Sequence, residues 1–120
     1  MKGLNKMSSR PKYNDVYIIV NEGKLCGAST DREIAEERAE MLEYQAVKRE
    51  LAQLDIEDPT PEEEYSARYE VGTYIVERVN LSGRKLSDFV EFNSCLGGQL
   101  LVGDIVHYLK ADRFMKIFKI

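Results

Sequence analysis

A chain of 120 residues, 43% of them apolar and 32% charged, suits one ordinary domain with a modest core and is too apolar to be disordered throughout. Its net charge of −4 is unevenly spread: residues 29–70 carry fourteen acidic and five basic side chains, whereas residues 78–120 carry four and seven. The acidic part argues against a general nucleic-acid binder, which needs a basic face, and the basic last third leaves room for a small anionic ligand.

Residues 1–12 are polar and expected to form a flexible tail, with a single α+β domain over 13–120. The β-branched and aromatic run at 16–20 predicts a strand. Asn21-Glu22-Gly23-Lys24 then predicts a tight turn and 25–28 the returning strand, so the first unit is a β-hairpin. It leads into one long helix over 30–54. Thr30 and Glu33 have the form of a capping box, and Asp31 and Glu33 complement the helix dipole. Ala35, Ala39, Leu42 and Ala46 recur at helical spacing, and Val47, Leu51 and Leu54 continue the stripe. Such a helix would be about 37 Å long at roughly 1.5 Å per residue. A domain of this size is only about 27 Å across. The first half of the stripe is therefore expected on the chain's own sheet and the second half on a partner helix, most simply a second copy, making a homo-oligomer through the long helix.

Residues 55–64 hold Pro59, Pro61 and six carboxylates and read as a solvated acidic connector, with Pro61 able to open one helical turn. The alternation over 69–81 predicts the longest strand, with Gly72 as a bulge candidate and Glu77 interrupting its apolar face. Leu86, Phe89, Val90 and Leu96 have helical spacing behind Ser87, which favours a short helix over a strand through Phe89 and Phe92. After Gly97, Gly98 and Gly103, residues 104–114 are read as a C-terminal helix, with short strands as the alternative.

The chemistry to be found is limited. His107 is the single histidine, which excludes a histidine metal cluster within one chain. Asp104 and His107 would share a helix face but lack a third group or an oxyanion donor, so a surface contact explains them. Glu36, Glu37, Glu40 and Glu43 lie opposite the apolar stripe and read as a solvated face. Cys26 and Cys95 define neither a disulfide framework nor a metal site and are expected to be reduced thiols. No apolar run approaches the roughly 18 residues of a membrane span, and no signal core is present, so a cytoplasmic location is expected. No reaction motif and no cofactor is indicated; the reading is of a non-enzymatic protein.

The best constellation lies in the last third. Phe89, Phe92 and Asn93 stand close together among Arg84, Lys85, Lys110, Arg113 and Lys116. A nucleotide needs such a mixture: rings to stack on a base, an amide for base edges or ribose hydroxyls, and guanidinium forks for phosphates. The ordinary alternative is that the two phenylalanines are core or subunit-interface residues and the cations are solvated.

The hairpin, long acidic helix, long strand, and Phe92-Asn93 pair followed by a basic C-terminal segment together resemble the phage anti-Thoeris sponge proteins. These sequester cyclic ADP-ribose-type signals made by bacterial TIR-domain enzymes. The resemblance implies an oligomer with a recessed nucleotide pocket between subunits, lined by the Phe92-Asn93 pair and by C-terminal arginines. It also implies ligand binding without cleavage, in the cytoplasm of a host cell. Arg113 is the one arginine of the C-terminal segment, so Lys110 or Lys116 would replace a second. The expected ligand residues are Arg84, Phe89, Phe92, Asn93, Lys110 and Arg113. The rival reading is an inhibitor or adaptor that presents its acidic face to a basic site on a host enzyme.

Overall fold

The computed structural model describes residues 13–94 and 97–118, with side chains through Ala111. The architecture is α+β. The element order is β1 (Asp15–Asn21), β2 (Lys24–Ser29), α1 (Arg32–Gln53), α2 (Pro61–Val71), β3 (Tyr74–Asn80), β4 (Phe89–Phe92), β5 (Gly98–Leu101) and α3 (Val102–Phe118). Strands β2, β1 and β3 form an antiparallel sheet in that order, and β4 and β5 form a separate antiparallel hairpin. The expected tail at 1–12 and the thiol of Cys95 lie outside the described residues.

Strand periodicity divides the residues of the three-stranded sheet between two layers. Val16, Ile18 and Val20 of β1 join Ala28, Val79 and Leu81 on one face. There they meet Val90 and Phe92 of β4 and Val102, Ile105, Val106 and Leu109 of α3. Ile19 turns to the opposite face, with Tyr17, Cys26, Tyr74 and Val76 around it, and receives Ala35 and Ala39 of α1. The small alanines let the helix backbone approach the sheet closely. The first half of the predicted stripe therefore does pack on the chain's own sheet.

The second half meets an occupant the sequence reading did not supply. Val47 and Leu51 are buried against Ala67 of α2, with Ile56 and Val71 alongside. Residues 61–71 form three turns of helix rather than one turn of a connector, and the strand predicted from residue 69 begins only at Tyr74. The reason lies at the two ends of α2. Thr60 Oγ1 accepts from the Glu63 amide while Glu63 Oε1 accepts from the Thr60 amide, and Pro61 stands at the first helical position. At the other end Gly72 ends the helix with φ of 80°. The Asn21 side chain donates to the carbonyls of Val71 and Thr73, both at 3.1 Å, which ties the β1–β2 turn to this exit. A Cβ at residue 72 would stand 2.9 Å from Glu22 Oε2, so Gly72 is a cap under close contact, not a strand bulge.

The cap of the long helix lies one residue later than predicted. Asp31, not Thr30, is its cap: Asp31 Oδ1 accepts from the amides of Glu33 at 2.9 Å and Ile34 at 3.2 Å. The C-terminal helix is present and longer than expected, running directly out of β5. Its first amides are satisfied by carbonyls from the loop before β4, Val102 N–H by Asp88 and Gly103 N–H by Leu86. Among the described residues no helix is long and apolar enough to cross a membrane.

Candidate ligand site

The stretch read as a short helix behind Ser87 is instead the strand β4. Its four residues alternate exposed and buried, Phe89 and Glu91 outward, Val90 and Phe92 inward, and pair in register with Leu101 to Gly98 of β5. The period of two prevails because the two buried side chains have a core to enter, whereas one helical turn here would leave Val90 or Phe92 in water.

This assignment separates the two phenylalanines proposed as a stacking pair. Phe92 is 3% exposed and belongs to the main core, beneath the sheet. Its ring lies over Gly98, its cross-strand partner, where an added Cβ would come within 2.9 Å of the ring carbons. Phe92 is therefore a core residue within one chain and is not available to stack on a ligand there. Phe89, three positions earlier, is 54% exposed.

Phe89 borders a cleft of about 400 Å³ between the open edge of β3 and the β4–β5 hairpin. The lining includes Arg78 and Asn80 from β3, Arg84 from the following loop, Phe89 and Glu91 from β4, and Asn93 and Gln99 beside them. Arg84 Nη1 donates to the Phe89 carbonyl at 3.2 Å, which ties the Arg84 side chain to the first residue of β4. The loop carrying Arg84 is itself braced, since the Lys85 amide donates to Asp88 Oδ2 at 2.8 Å.

Glu77, the residue that interrupts the apolar alternation of β3, has a structural task at this cleft. Its carboxylate accepts from the Asn93 and Ser94 amides, both at 2.8 Å, and from the Ser94 hydroxyl. It thus fastens the end of β4 to a sheet strand with which β4 shares no ladder. Partial burial works to raise its pKa, but the bonds from Ser94 and Asn93 outweigh that effect and hold the carboxyl below the usual glutamate range. With Glu77 engaged in this way, Glu91 is the carboxylate left to face Arg78 and Arg84 in the cleft.

Of the six expected ligand residues, Arg84, Phe89 and Asn93 come together here. Lys110 does not join them: it is exposed on α3, which contributes no residue to the cleft lining. Arg113 falls in the last turns of α3, whose side chains are outside the described set. Arg78, Asn80, Glu91 and Gln99 were missed. The alternation over β3 was a signal for Arg78 and Asn80, but the helix expected behind Ser87 hid Glu91, and only the pairing of the hairpin brings Glu91 and Gln99 to that edge.

The remaining candidates have structural settings. Asp104 and His107 are exposed on α3, and the His107 ring meets Tyr108 edge-on with centroids 6.0 Å apart. Glu43 is half-buried and pairs with Arg68 of α2 at 3.0 Å. Burial pushes the Cys26 thiol up, the opposite of what a reactive thiolate requires. Among the described residues no group of three or more His, Cys, Asp or Glu could hold a metal ion. Compared with family models, curated proteins and solved structures, the chain matches none.

Proposed function

We propose that the cleft between β3 and the β4–β5 hairpin captures a small anionic ligand of the nucleotide type and releases it unchanged. The observation that carries this reading is the exposed Phe89 ring lining one cleft with Arg84, which bonds the Phe89 carbonyl, and with Arg78 of the facing strand. A base stacks on the ring, the two guanidiniums take the phosphates, and the amides of Asn93 and Gln99 read base edges, while the Asn80 amide is held by Asp15 and the Ser82 N–H. Glu91 suits a sugar, since a free carboxylate accepts from ribose hydroxyls and would repel a bare phosphate. The volume of about 400 Å³ lies in the range of small-molecule sites.

Cyclic ADP-ribose-type signals are the first ligands to test, as the resemblance to the anti-Thoeris sponges implies; in that role the protein would block a TIR-based antiphage defence. Arg84 and Phe89 carry the site in this reading, and Phe92 serves by holding the hairpin that presents them. Calorimetry with cyclic ADP-ribose isomers and cyclic dinucleotides should give micromolar or tighter binding for at least one. Mass spectrometry after denaturation should recover it intact. Phe89→Ala and Arg84→Ala should each weaken binding about 10- to 100-fold, as expected for losing a desolvated aromatic or charged contact. The absence of binding tighter than about 1 mM for every one of these compounds would end the proposal.

A further inference from the structure

We infer that the groove between α1 and α2 receives the C-terminal segment, residues 113–120, of a second copy of the chain. The groove has a volume of about 830 Å³. Its floor is apolar, formed by Val47, Leu51, Ile56 and Pro59, and the exposed Tyr44 stands at one end. One wall is the stretch 55–64, which carries six carboxylates and no cation. The two cations of the lining are already engaged. Arg68 pairs with Glu43 at 3.0 Å and with Glu64 at 3.5 Å, and the Lys48 ammonium sits 5.3 Å from the Tyr44 ring centre. The Lys48 charge persists beside the neutral ring, but Asp55, Glu57 and Glu64 outnumber the two cations and Glu43 offsets Arg68 further, so the groove is negative in balance.

An occupant must then be apolar and basic. The chain itself carries one such segment. Residues 113–120 read Arg-Phe-Met-Lys-Ile-Phe-Lys-Ile, three cations and five apolar residues with no carboxylate. These apolar residues do not continue the buried stripe of α3. Val102, Ile105, Val106 and Leu109 pack in the core, but helical steps of three and four from Leu109 reach Asp112 and Arg113, and then Lys116. Phe114, Met115, Ile117 and Phe118 fall at other positions of the repeat, so the sequence supplies an apolar set beyond what the α3 core stripe uses. The lengths agree as well. The groove follows α1 from Tyr44 to Ala52, about 12 Å at roughly 1.5 Å per residue, and the helical part of the segment, 113–118, covers about 9 Å of that length. Exchange of the segment between two copies makes each donor also an acceptor and closes as a two-fold dimer.

The test is sedimentation velocity of the full chain over a concentration series, at low and high salt. Wild type should shift from monomer to dimer as concentration rises, and salt should weaken the dimer. Lys116→Glu with Lys119→Glu makes a chain with an acidic segment; Asp55→Asn with Glu57→Lys makes a chain with a basic groove. Each alone should dimerise at least about tenfold more weakly. An equimolar mixture of the two should recover dimers, because every segment then meets a groove of opposite charge. The inference is overturned by a wild-type chain that stays monomeric up to about 1 mM, by reversed chains that dimerise as well as wild type, or by a mixture that recovers nothing. A salt-sensitive loss of melting temperature in the reversed chains, independent of concentration, would place the segment in its own groove and also overturn it.

Discussion

The two halves of α1 are covered in contrasting ways. In the first half the helix contributes the small side chains, Ala35 and Ala39, and the sheet the large one, Ile19, which is fully buried. In the second half the helix contributes the large ones, Val47 and Leu51, and α2 the small one, Ala67. The first contact joins α1 to a sheet whose paired residues are up to 65 positions apart in sequence, as Asp15 and Asn80 are, and whose other face holds the main core. The second joins α1 to its immediate successor through a cluster of three buried residues, next to an open groove. Stability is therefore expected to be unequal, with the sheet end opening only on global unfolding and the α1–α2 end opening locally at lower cost.

Substitutions should expose the inequality. Ile19→Ala empties a fully enclosed site under α1 and should cost about 3–4 kcal/mol, seen as a lower urea midpoint for the whole chain. Leu51→Ala should cost less, about 2–3 kcal/mol, because the site borders the groove and can collapse or admit water. Its signature is hydrogen exchange: amides of α2 should exchange faster while those of β1 keep their protection. Equal acceleration in both would show that the two halves form a single cooperative unit. Thr60→Ala removes one half of the capping box of α2 and should cost about 1 kcal/mol, again confined to α2 exchange. Phe89→Ala removes a mostly exposed ring and should change the melting temperature least, while abolishing most ligand affinity.

Acid provides a separate probe of the cleft. The folded-state pKa of Glu77 is lowered, so its contribution is present at neutral pH and is lost as pH falls through and below the usual glutamate range. Resonances of Asn93 and Ser94 should then shift together, ahead of those of β1. Glu77→Gln should flatten this acid dependence, and a wild-type profile unchanged in the variant would show that another carboxylate is responsible.

Several residues show what could and could not be read in advance. The hairpin, the long helix and its inward alanines were legible because their signals are local: alternation, a turn with Gly23, and helical spacing. The end of α2 was misread because the residues from Tyr69 to Val71 also alternate as a strand does. What decides the matter is the cap pair at Thr60 and Glu63 with the stop at Gly72, together with Ala67 finding Leu51 across the helix pair. Glu77 looked like a flaw in a strand face. It is the acceptor for two amides and a hydroxyl of a turn that follows it by sixteen residues. Half of the expected ligand residues gather at the cleft, because Phe89 and Asn93 flank one short strand and Arg84 is hydrogen-bonded to it.

The order of residues alone determined which segments are amphipathic, where turns fall, and that acidic charge collects in the middle of the chain and basic charge near its end. These properties depend only on neighbours within a few positions. Only the tertiary structure decided that Phe92 is enclosed while Phe89 is open, that α2 covers the second half of α1, and that β3 and the β4–β5 hairpin meet at a cleft. Burial depends on which distant surface arrives opposite a side chain, and two phenylalanines three positions apart carry no local mark of which one the core will take.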